Sequence, residues 1–323
     1  MKTISIVTPC FNEEGNVREV YERARAVIAS LAGYAYEHIF IDNASRDNTM
    51  AELRVIAQRD KNVKVISNTR NFGHIRSPFH ALRQASGDVV FCLMSDLQDP
   101  PELLADMIRE WEKGTPVVIG VKTESEENPL MYWVRRRYYR LVNQLSDIET
   151  YEQFTGFGLY DRKVINIIKG LPDPYPYFRG MIAEIGLPHA EIPYRQQRRK
   201  RGKTNNNFYA LFDTAMLGIT NFSKVPLRLA TFSGFACAVL CVLIGFGYLI
   251  YKLLFWDRFS AGVAPLVLGI FFFASVQLFF MGILGEYIGS IHTFVQNRPH
   301  VFERERINFE YEPGEPLREP PTQ

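Results

Sequence analysis

The sequence of 323 residues predicts an α/β domain with a mostly parallel sheet, followed by interfacial helices and two transmembrane helices. Two observations carry this prediction. Short apolar runs rich in β-branched residues alternate with helix-length segments through residues 1–121, which is the pattern of a parallel sheet covered by helices. Further along, two uncharged stretches are each longer than the roughly 20 residues that a helix needs to cross a bilayer.

Each element of the α/β domain follows from its local pattern. The strands are short apolar runs, and the segments between them repeat apolar residues at helical spacing. The predicted strands are Ile4–Thr8, His38–Asp42, Val63–Ser67, Val89–Met94 and Val117–Val121. The predicted helices are Val17–Leu31, Met50–Arg59, Ile75–Ala85 and Glu102–Lys113. A soluble part of this length can bury its own core.

The most informative strand end follows Val89–Met94, where the apolar run breaks into the polar segment SDLQDPPE. Open α/β sheets bind ligands at the carboxyl ends of their strands. Asp96 and Gln98 lie two residues apart and offer oxygen atoms, which hard divalent cations prefer. Such a cation is most often needed to hold a diphosphate, so the tip suggests a nucleotide-phosphate site. The alternative is an ordinary helix start, with a cap and an acidic first turn.

The two uncharged stretches are Leu229–Tyr251 and Phe259–Gly285. They show no polar face, so two buried helices of a soluble core are the weaker alternative. Eight basic residues from Arg195 to Arg228 precede the first stretch, against two in the hairpin. The positive-inside rule therefore predicts a multi-pass protein of the cell inner (plasma) membrane. The large domain and the C-terminal tail are expected in the cytoplasm.

Charge and cysteine usage exclude other classes. The net charge of +2 is too small to indicate a nucleic-acid partner. The four cysteines are scattered, so they indicate neither a disulfide framework nor a zinc site. The segments Pro129–Leu145 and Phe208–Phe222 carry apolar residues near helical spacing, which predicts helices lying on the membrane surface. The alternative for the second segment is a helix packed on the sheet.

Five short motifs occur in order along the chain: TPCFNEEGNV, IDNASRDNT, RNFGH, SDLQDPPE and LGEYIGSIHTFVQNRP. Together they resemble glycosyltransferase family 2, and within it the polyprenyl-phosphate glycosyltransferases, over Thr3–Pro299. The resemblance implies a cytoplasmic GT-A nucleotide-sugar-binding domain at residues 1–205 and a juxtamembrane amphipathic helix at 206–228. It also implies two transmembrane helices with a short extracytoplasmic hairpin at 229–291 and a cytoplasmic tail at 292–323.

The resemblance assigns the donor site position by position. The residues that match the family's nucleotide-sugar contacts are Pro9, Phe11, Glu13, Asp42 and Asp96. Asp42 matches the aspartate that accepts a hydrogen bond from the base, and the alternative is that it only caps its turn. Asp96 and Gln98 match part of the family's metal motif, which implies Mg²⁺ or Mn²⁺ as the cofactor. UDP-glucose is the favoured donor.

The acceptor site is predicted from basic residues. Arg199 and Thr204 match the family's loop that closes over phosphates, and the alternative is that the basic run only faces anionic lipid. We predict that Lys122, Arg136 and Arg199 hold the phosphate of a polyprenyl-phosphate lipid. With Asp96 they form the predicted catalytic set. The family is also compatible with a homo-oligomer.

Two positions depart from the family pattern. Met94 stands where the first aspartate of the metal motif is usual, and Gly156 stands where many members have an aspartate. A lipid phosphate is already anionic near neutral pH and requires no general base to attack the anomeric carbon. The sequence therefore predicts transfer of one hexose, most plausibly glucose, by direct displacement with inversion.

Three other functions are alternatives to this prediction. A catalytically weakened, membrane-anchored nucleotide-sugar-binding protein is the alternative that Met94 and Gly156 favour. A membrane polysaccharide synthase would need a Gln-x-x-Arg-Trp motif and more spans than two. A transporter is disfavoured because the spans carry no interior charged pair that would form a polar path.

Overall fold

The computed structural model describes residues 1–124, 151, 154–197, 216, 220, 223–255 and 263–309. The chain divides into two compact units. The first comprises Met1–Asn128, Thr150–Asn205 and Asn297–Gln323, and the second comprises Pro129–Glu149 and Asn206–Gln296. The predicted surface helix Pro129–Leu145 and most of the predicted helix Phe208–Phe222 lie outside the described residues.

The first unit contains an eight-stranded sheet in the order β7-β5-β6-β4-β1-β2-β3-β8. Its strands are β1 Lys2–Cys10, β2 Tyr34–Asp42, β3 Val63–Asn68, β4 Val89–Cys92, β5 Val117–Glu124, β6 Phe154–Asp161, β7 His189–Arg195 and β8 Glu303–Ile307. The pairings β1 with β2, β1 with β4, β2 with β3 and β5 with β7 are parallel. Strand β6 is antiparallel to β4 and β5, and β8 is antiparallel to β3. The predicted mostly parallel α/β fold is confirmed.

Helices cover both faces of this sheet. They are α1 Val17–Ser30, α2 Thr49–Arg59, α3 Gly73–Gln84, α4 Leu104–Glu112, α5 Arg162–Gly170 and α6 Phe178–Ile185. One apolar core contains buried residues of α1, α2 and α4, and a second contains those of α3, α5 and α6. Strand β4 ends at Cys92, two residues before the predicted end, because Leu93 and the following residues form the loop of the predicted ligand site.

Strand β8 returns the chain to the sheet after the second apolar helix. Its residues pair with β3, Glu305 forms an ion pair with Arg54, and Glu303 is hydrogen-bonded to His80. This strand lies within the predicted C-terminal tail at 292–323 and was not itself predicted. Residues 303–307 form an edge strand of the domain.

The second unit contains two helices that are long and apolar enough to cross a membrane. Helix α7 is Val225–Leu254 and helix α8 is Val263–Gln296. The candidate spans within them are Val225–Leu254 and Gly269–Gln296, with mean hydropathies of 2.3 and 1.6. The hydroxyl of Tyr287 donates a hydrogen bond of 2.6 Å to the carbonyl oxygen of Ser223.

A buried histidine in β2 predicts acid sensitivity. His38 is 1% exposed, lies 2.9 Å from the Thr8 hydroxyl and stacks on Phe40. Burial lowers the pKa of His38 to about 3. Because the unfolded chain has a His pKa near 6.5, it binds more protons than the folded chain between these values. The free energy of unfolding should therefore fall by roughly 2 kcal/mol between pH 7 and pH 5 through this residue alone.

The variant His38→Gln removes the titrating ring and keeps a polar group facing Thr8. We expect a flatter dependence of unfolding on pH between 7 and 5, measured by denaturant titration in detergent. The exposed His189, changed to Gln, is the matched control for a histidine substitution outside the core. An unchanged slope in His38→Gln would contradict the assignment.

Candidate active site

Three loops meet at the carboxyl ends of β1, β2 and β4. Each contains a non-glycine residue with a left-handed backbone: Asn12 at φ 58°, Ala44 at φ 61° and Leu97 at φ 57°. Such conformations cost about 1–3 kcal/mol each and persist when the surrounding structure fixes them, which is common at ligand sites. This edge of the sheet is therefore the candidate site, as the strand tip predicts.

The loops after β1 and β2 are joined by hydrogen bonds. The Asn12 amide donates to the Ser45 hydroxyl at 2.9 Å, and the Arg46 amide donates to Asn12 Oδ1 at 2.9 Å. The Glu13 amide donates to the Thr49 hydroxyl at 2.8 Å. These reciprocal bonds fix the two loops against each other and hold their side chains in place.

The predicted nucleotide residues lie along this junction. Pro9 pairs with Ile41 in the sheet, and the next residue pair is Cys10 with Asp42. Glu13 is buried at the start of the turn that follows β1. Burial raises the pKa of Asp42, and both its oxygens accept from the Ser45 amide at 3.2 Å. Asp42 thus caps its turn, while its contact with a base stays a prediction. Phe11 is half-buried on the same loop.

The tip after β4 carries the predicted metal residues. Asp96 Oδ1 accepts from the Gln98 amide at 3.1 Å, so the two side chains share one tight turn. The Gln98 carboxamide nitrogen donates to the Gln197 carbonyl oxygen at 3.4 Å. In the part of the chain that the structure describes, no group of three or more His, Cys, Asp or Glu side chains could hold a metal ion.

Asp96 and Gln98 therefore fit an ion that needs few protein ligands. Mg²⁺ often keeps several waters and takes one or two carboxylates together with substrate phosphates, and Mn²⁺ prefers the same oxygen donors. Met94 stands where the first aspartate of the metal motif is usual. Its side chain is half-buried and offers no oxygen ligand.

A second carboxylate lies beneath the tip. Asp99 is 3% exposed and accepts a hydrogen bond from the Tyr194 hydroxyl. Burial raises the pKa of Asp99, and the nearby Lys122 ammonium acts in the opposite direction. Lys122 pairs with Tyr194 across β5 and β7. The structure thus brings Asp96 and Lys122 to the same edge of the sheet, while their catalytic roles stay predictions.

The other predicted cations, Arg136 and Arg199, lie outside the described residues, as does Thr204. The described chain before Arg199 and Thr204 reaches the tip, where the Gln197 amide donates to the Gln98 carbonyl oxygen at 3.0 Å.

Two glycines lie close to neighbouring residues in β6. Gly156 has φ +98°, and a Cβ there would lie 3.5 Å from the Phe178 ring. A Cβ at Gly158 would lie 2.6 Å from the Val118 carbonyl oxygen. The Tyr160 hydroxyl donates to the Gly156 carbonyl oxygen at 2.9 Å. Glycine at residue 156 is therefore tied to the local backbone conformation of β6. The lack of an aspartate there is more than a change of one side chain.

The sequence analysis missed Asn43, which links the loops after β2 and β3. Its side chain donates to Asn71 Oδ1 at 2.9 Å and accepts from the Asn68 side chain at 3.1 Å. It also accepts from the Phe72 amide at 2.9 Å. The only sequence signal was its place directly after Asp42 in the IDNAS motif. Asn43 thus connects the RNFGH segment to the candidate site.

Two family models match the chain. The model described as glycosyl transferase family 2 matches residues 5–168, about half of the chain, and includes the strand ends that carry Asp42 and Asp96. The chain belongs to glycosyl transferase family 2. The model described as the GtrB C-terminal hairpin matches residues 225–291 of this glycosyl transferase, which contain α7 and all but the last five residues of α8.

This family 2 glycosyl transferase has relatives along nearly its whole length. It is 34% identical over 297 residues to the bactoprenol glucosyl transferase of Shigella phage SfII, covering 92% of this chain and 96% of the relative. It is 31% identical over 297 residues to a prophage bactoprenol glucosyl transferase homolog of Escherichia coli K12, with the same coverage of 92% and 96%.

Among solved structures, this glycosyl transferase resembles glucosyl-3-phosphoglycerate synthase from Mycobacterium tuberculosis, in a complex with Mn²⁺, uridine diphosphate and phosphoglyceric acid. The identity is 18%, the TM-score is 0.46, and the similarity covers 68% of this chain and 76% of the other. That likeness is too distant to support a functional argument.

Proposed function

We propose that this glycosyl transferase moves one glucose from UDP-glucose to a polyprenyl phosphate at the cytoplasmic face of the cell inner membrane, with inversion at the anomeric carbon. The observation that carries the proposal is the 34% identity to a bactoprenol glucosyl transferase over 92% of the chain. The candidate site agrees with this chemistry, since it combines a phosphate-binding tip with cations and lacks a carboxylate at residue 156.

The donor site would use the interlocked loops. Cys10, Glu13 and Asp42 are all buried. Burial, and then the charges of Asp42 and Glu13, raise the pKa of the Cys10 thiol. The Asp42 carboxylate accepts from the Ser45 backbone amide, and the Glu13 carboxylate accepts from the Asn16 side-chain amide. Groups held in this way favour recognition of a base and a ribose without rearrangement. We assign the nucleotide to this junction, with Pro9 and Phe11 as its apolar border.

The diphosphate of the donor would lie at the tip. Asp96 and Gln98 would hold Mg²⁺ or Mn²⁺ together with phosphate oxygens and water. When bound, the ion neutralises charge that develops on the leaving nucleotide diphosphate. Asp96 is well suited to this role because its carboxylate is fixed by the Gln98 amide, whereas Asp99 is already engaged by Tyr194.

The acceptor phosphate would be held by Lys122, with Arg136 and Arg199 as the further predicted cations. A phosphate oxygen of the lipid forms a bond to the anomeric carbon as the bond from that carbon to the nucleotide diphosphate breaks. No proton has to be removed from the acceptor at neutral pH. Catalysis then consists of positioning and charge stabilisation.

The two apolar helices support a membrane location. An excess of basic residues before α7 favours a cytoplasmic catalytic domain with a short extracytoplasmic turn. In this arrangement a lipid acceptor reaches the site from the bilayer, while UDP-glucose enters from the cytoplasm.

A catalytically weakened binding protein is the second candidate, and the observation that favours it is Met94 at the metal motif together with Gly156. The two candidates differ in turnover. A binding protein would hold UDP-glucose without forming lipid-linked sugar.

The test is an assay of the purified chain with labelled sugar nucleotides and a short-chain polyprenyl phosphate. We expect UDP-glucose to be used in preference to UDP-galactose and GDP-mannose, and one glucose to be found per extracted lipid by mass spectrometry. A product with two or more sugars, or transfer to a free saccharide, would favour a polysaccharide synthase. Donor binding with no product would favour the binding protein.

A further inference from the structure

Three arginines form a cationic cluster beside the end of β3, and we call Arg70, Arg76 and Arg298 the arginine cluster. Two of them are organised around one aromatic ring. The Arg70 guanidinium lies 4.0 Å from the centre of the Phe72 ring, and that of Arg76 lies 5.5 Å from it. Arg76 Nη2 donates to the carbonyl oxygen of Pro299, the residue after Arg298. Arg70 and Arg298 are exposed, and Arg76 is half-buried.

The arginine cluster has no described counter-ion. Within the described residues, no carboxylate lies within 4.0 Å of these three guanidinium groups, whereas Arg23, Arg54 and Arg306 each have one. Arg76 Nε is also buried without a hydrogen-bond acceptor in this part of the chain. Burial lowers the pKa of Arg76, and the charges of Arg70 and Arg298 lower it further. Like charges held together in this way favour the binding of an anion.

The backbone that carries the arginine cluster is fixed by the rest of the domain. The Thr69 amide donates to the Phe302 carbonyl oxygen at 2.9 Å, and the Phe302 ring packs against Phe72 with centroids 6.1 Å apart. His300 Nε2 lies 2.8 Å from the Asp173 carbonyl oxygen. The three guanidinium groups therefore belong to a rigid surface and not to a loose terminus.

The chain itself links the arginine cluster to the apolar hairpin. Helix α8 ends at Gln296, so Arg298 follows it by two residues and lies within about 8 Å of its last Cα. The candidate span Gly269–Gln296 has 28 residues, about 42 Å of helix, which matches a bilayer together with its headgroup regions. If this span crosses the bilayer, Arg298 follows it on the headgroup side. Guanidinium groups suit phosphate because their planar fork can donate two parallel hydrogen bonds.

We propose that the arginine cluster is a binding site for a lipid phosphate at the membrane surface, separate from the donor site. The ligand is a phosphate mono- or diester on a lipid, supplied either by an anionic phospholipid of the bilayer or by the polyprenyl phosphate. The proposal rests on the membrane attachment proposed above and adds a site that the transfer mechanism does not use.

The test measures lipid binding directly, so that it does not depend on transfer activity. The full-length protein in detergent is titrated with phosphatidylglycerol, with phosphatidylcholine and with a short-chain polyprenyl phosphate, and bound lipids are counted by native mass spectrometry. The variants are Arg76→Gln and Arg298→Gln. Arg59→Gln, at an exposed arginine at the end of α2, is the matched control.

We expect each cluster variant to bind one of the two anionic lipids, phosphatidylglycerol or the polyprenyl phosphate, about fivefold more weakly. Removal of one cation near a membrane surface has an effect of this size. Weaker phosphatidylglycerol binding identifies a bilayer phospholipid as the ligand, and weaker polyprenyl-phosphate binding identifies the acceptor lipid. Phosphatidylcholine binding should not change. Arg76→Gln loses the bond to Pro299, which could impair folding. In that case Arg298→Gln still tests the proposal.

Two results would overturn the proposal. One is lipid binding in both variants that equals that of Arg59→Gln. The other is unchanged lipid binding with a raised KM for the sugar nucleotide, which would assign the arginine cluster to the donor site. Failure of the proposed function itself would be seen differently, as absence of lipid-linked product in the unmodified protein.

Discussion

Replacing Asp96 with asparagine is expected to lower the rate of sugar transfer by about 10²–10³, the loss that follows removal of one group that stabilises transition-state charge. The reason is that the tip offers few other side-chain oxygen ligands for a cation. Met94 offers no oxygen, and Asp99 is buried against the Tyr194 hydroxyl. Asp96 is thus the carboxylate at the tip that can hold a cation on the diphosphate.

The substitution should leave the fold intact. Asparagine retains the oxygen that accepts from the Gln98 amide, and the neighbouring backbone is fixed by Ser95, whose hydroxyl donates to the Pro9 carbonyl oxygen at 2.8 Å. Asp106→Asn is the matched control, because Asp106 forms a surface ion pair with Arg109 on α4. Its rate should equal that of the unmodified protein.

The rate is measured as lipid-linked product per minute at saturating UDP-glucose, with and without a chelator. Added Mg²⁺ or Mn²⁺ should restore the chelated unmodified protein and should not restore Asp96→Asn. A normal rate in the variant, or a rate that the chelator does not change, would show that the metal assignment is wrong.

The strand ends of the candidate site could be predicted because their signals are local. An apolar run that is followed by SDLQ at residues 95–98 predicts a buried strand with a polar tip, and the structure contains both. The positions of Asp42 and Asp96 follow from the parallel pairing of β1 with β2 and β4, which brings their carboxyl ends to one edge. The sheet topology thus places two motifs that are distant in sequence at one site.

The parts that escaped prediction depend on contacts between distant residues. Strand β8 reads Glu-Arg-Glu-Arg-Ile, which lacks an apolar face, and its charges are satisfied by His80 and Arg54, which lie more than 200 positions earlier. Asn43 joins the loops after β2 and β3, which meet only in the fold. The Asp99–Tyr194 bond likewise joins residues 95 positions apart. No short window of sequence contains these partners.

Restoring the family's aspartate by Gly156→Asp is expected to destabilise the protein without accelerating transfer. Gly156 has φ +98°, well outside the left-handed well near about +57° that aspartate tolerates. A Cβ would also meet the Phe178 ring at 3.5 Å. Strain of this kind costs about 1–3 kcal/mol. The mechanism needs no base, so an added carboxylate should give no gain and would repel an anionic acceptor.

Gly114 provides the matched control, since it has φ +97° and a Cβ added there would meet no atom within 4 Å. Gly114 is exposed and Gly156 is buried. Gly114→Asp therefore reports the backbone strain alone, and Gly156→Asp reports strain plus the burial of a carboxylate. We expect both to lower the free energy of unfolding, with the larger loss at residue 156, and turnover per folded molecule to rise in neither. A stable Gly156→Asp protein with turnover raised about tenfold would contradict this, because it would mean that the reaction is limited by a missing base and that the acceptor carries a proton to remove.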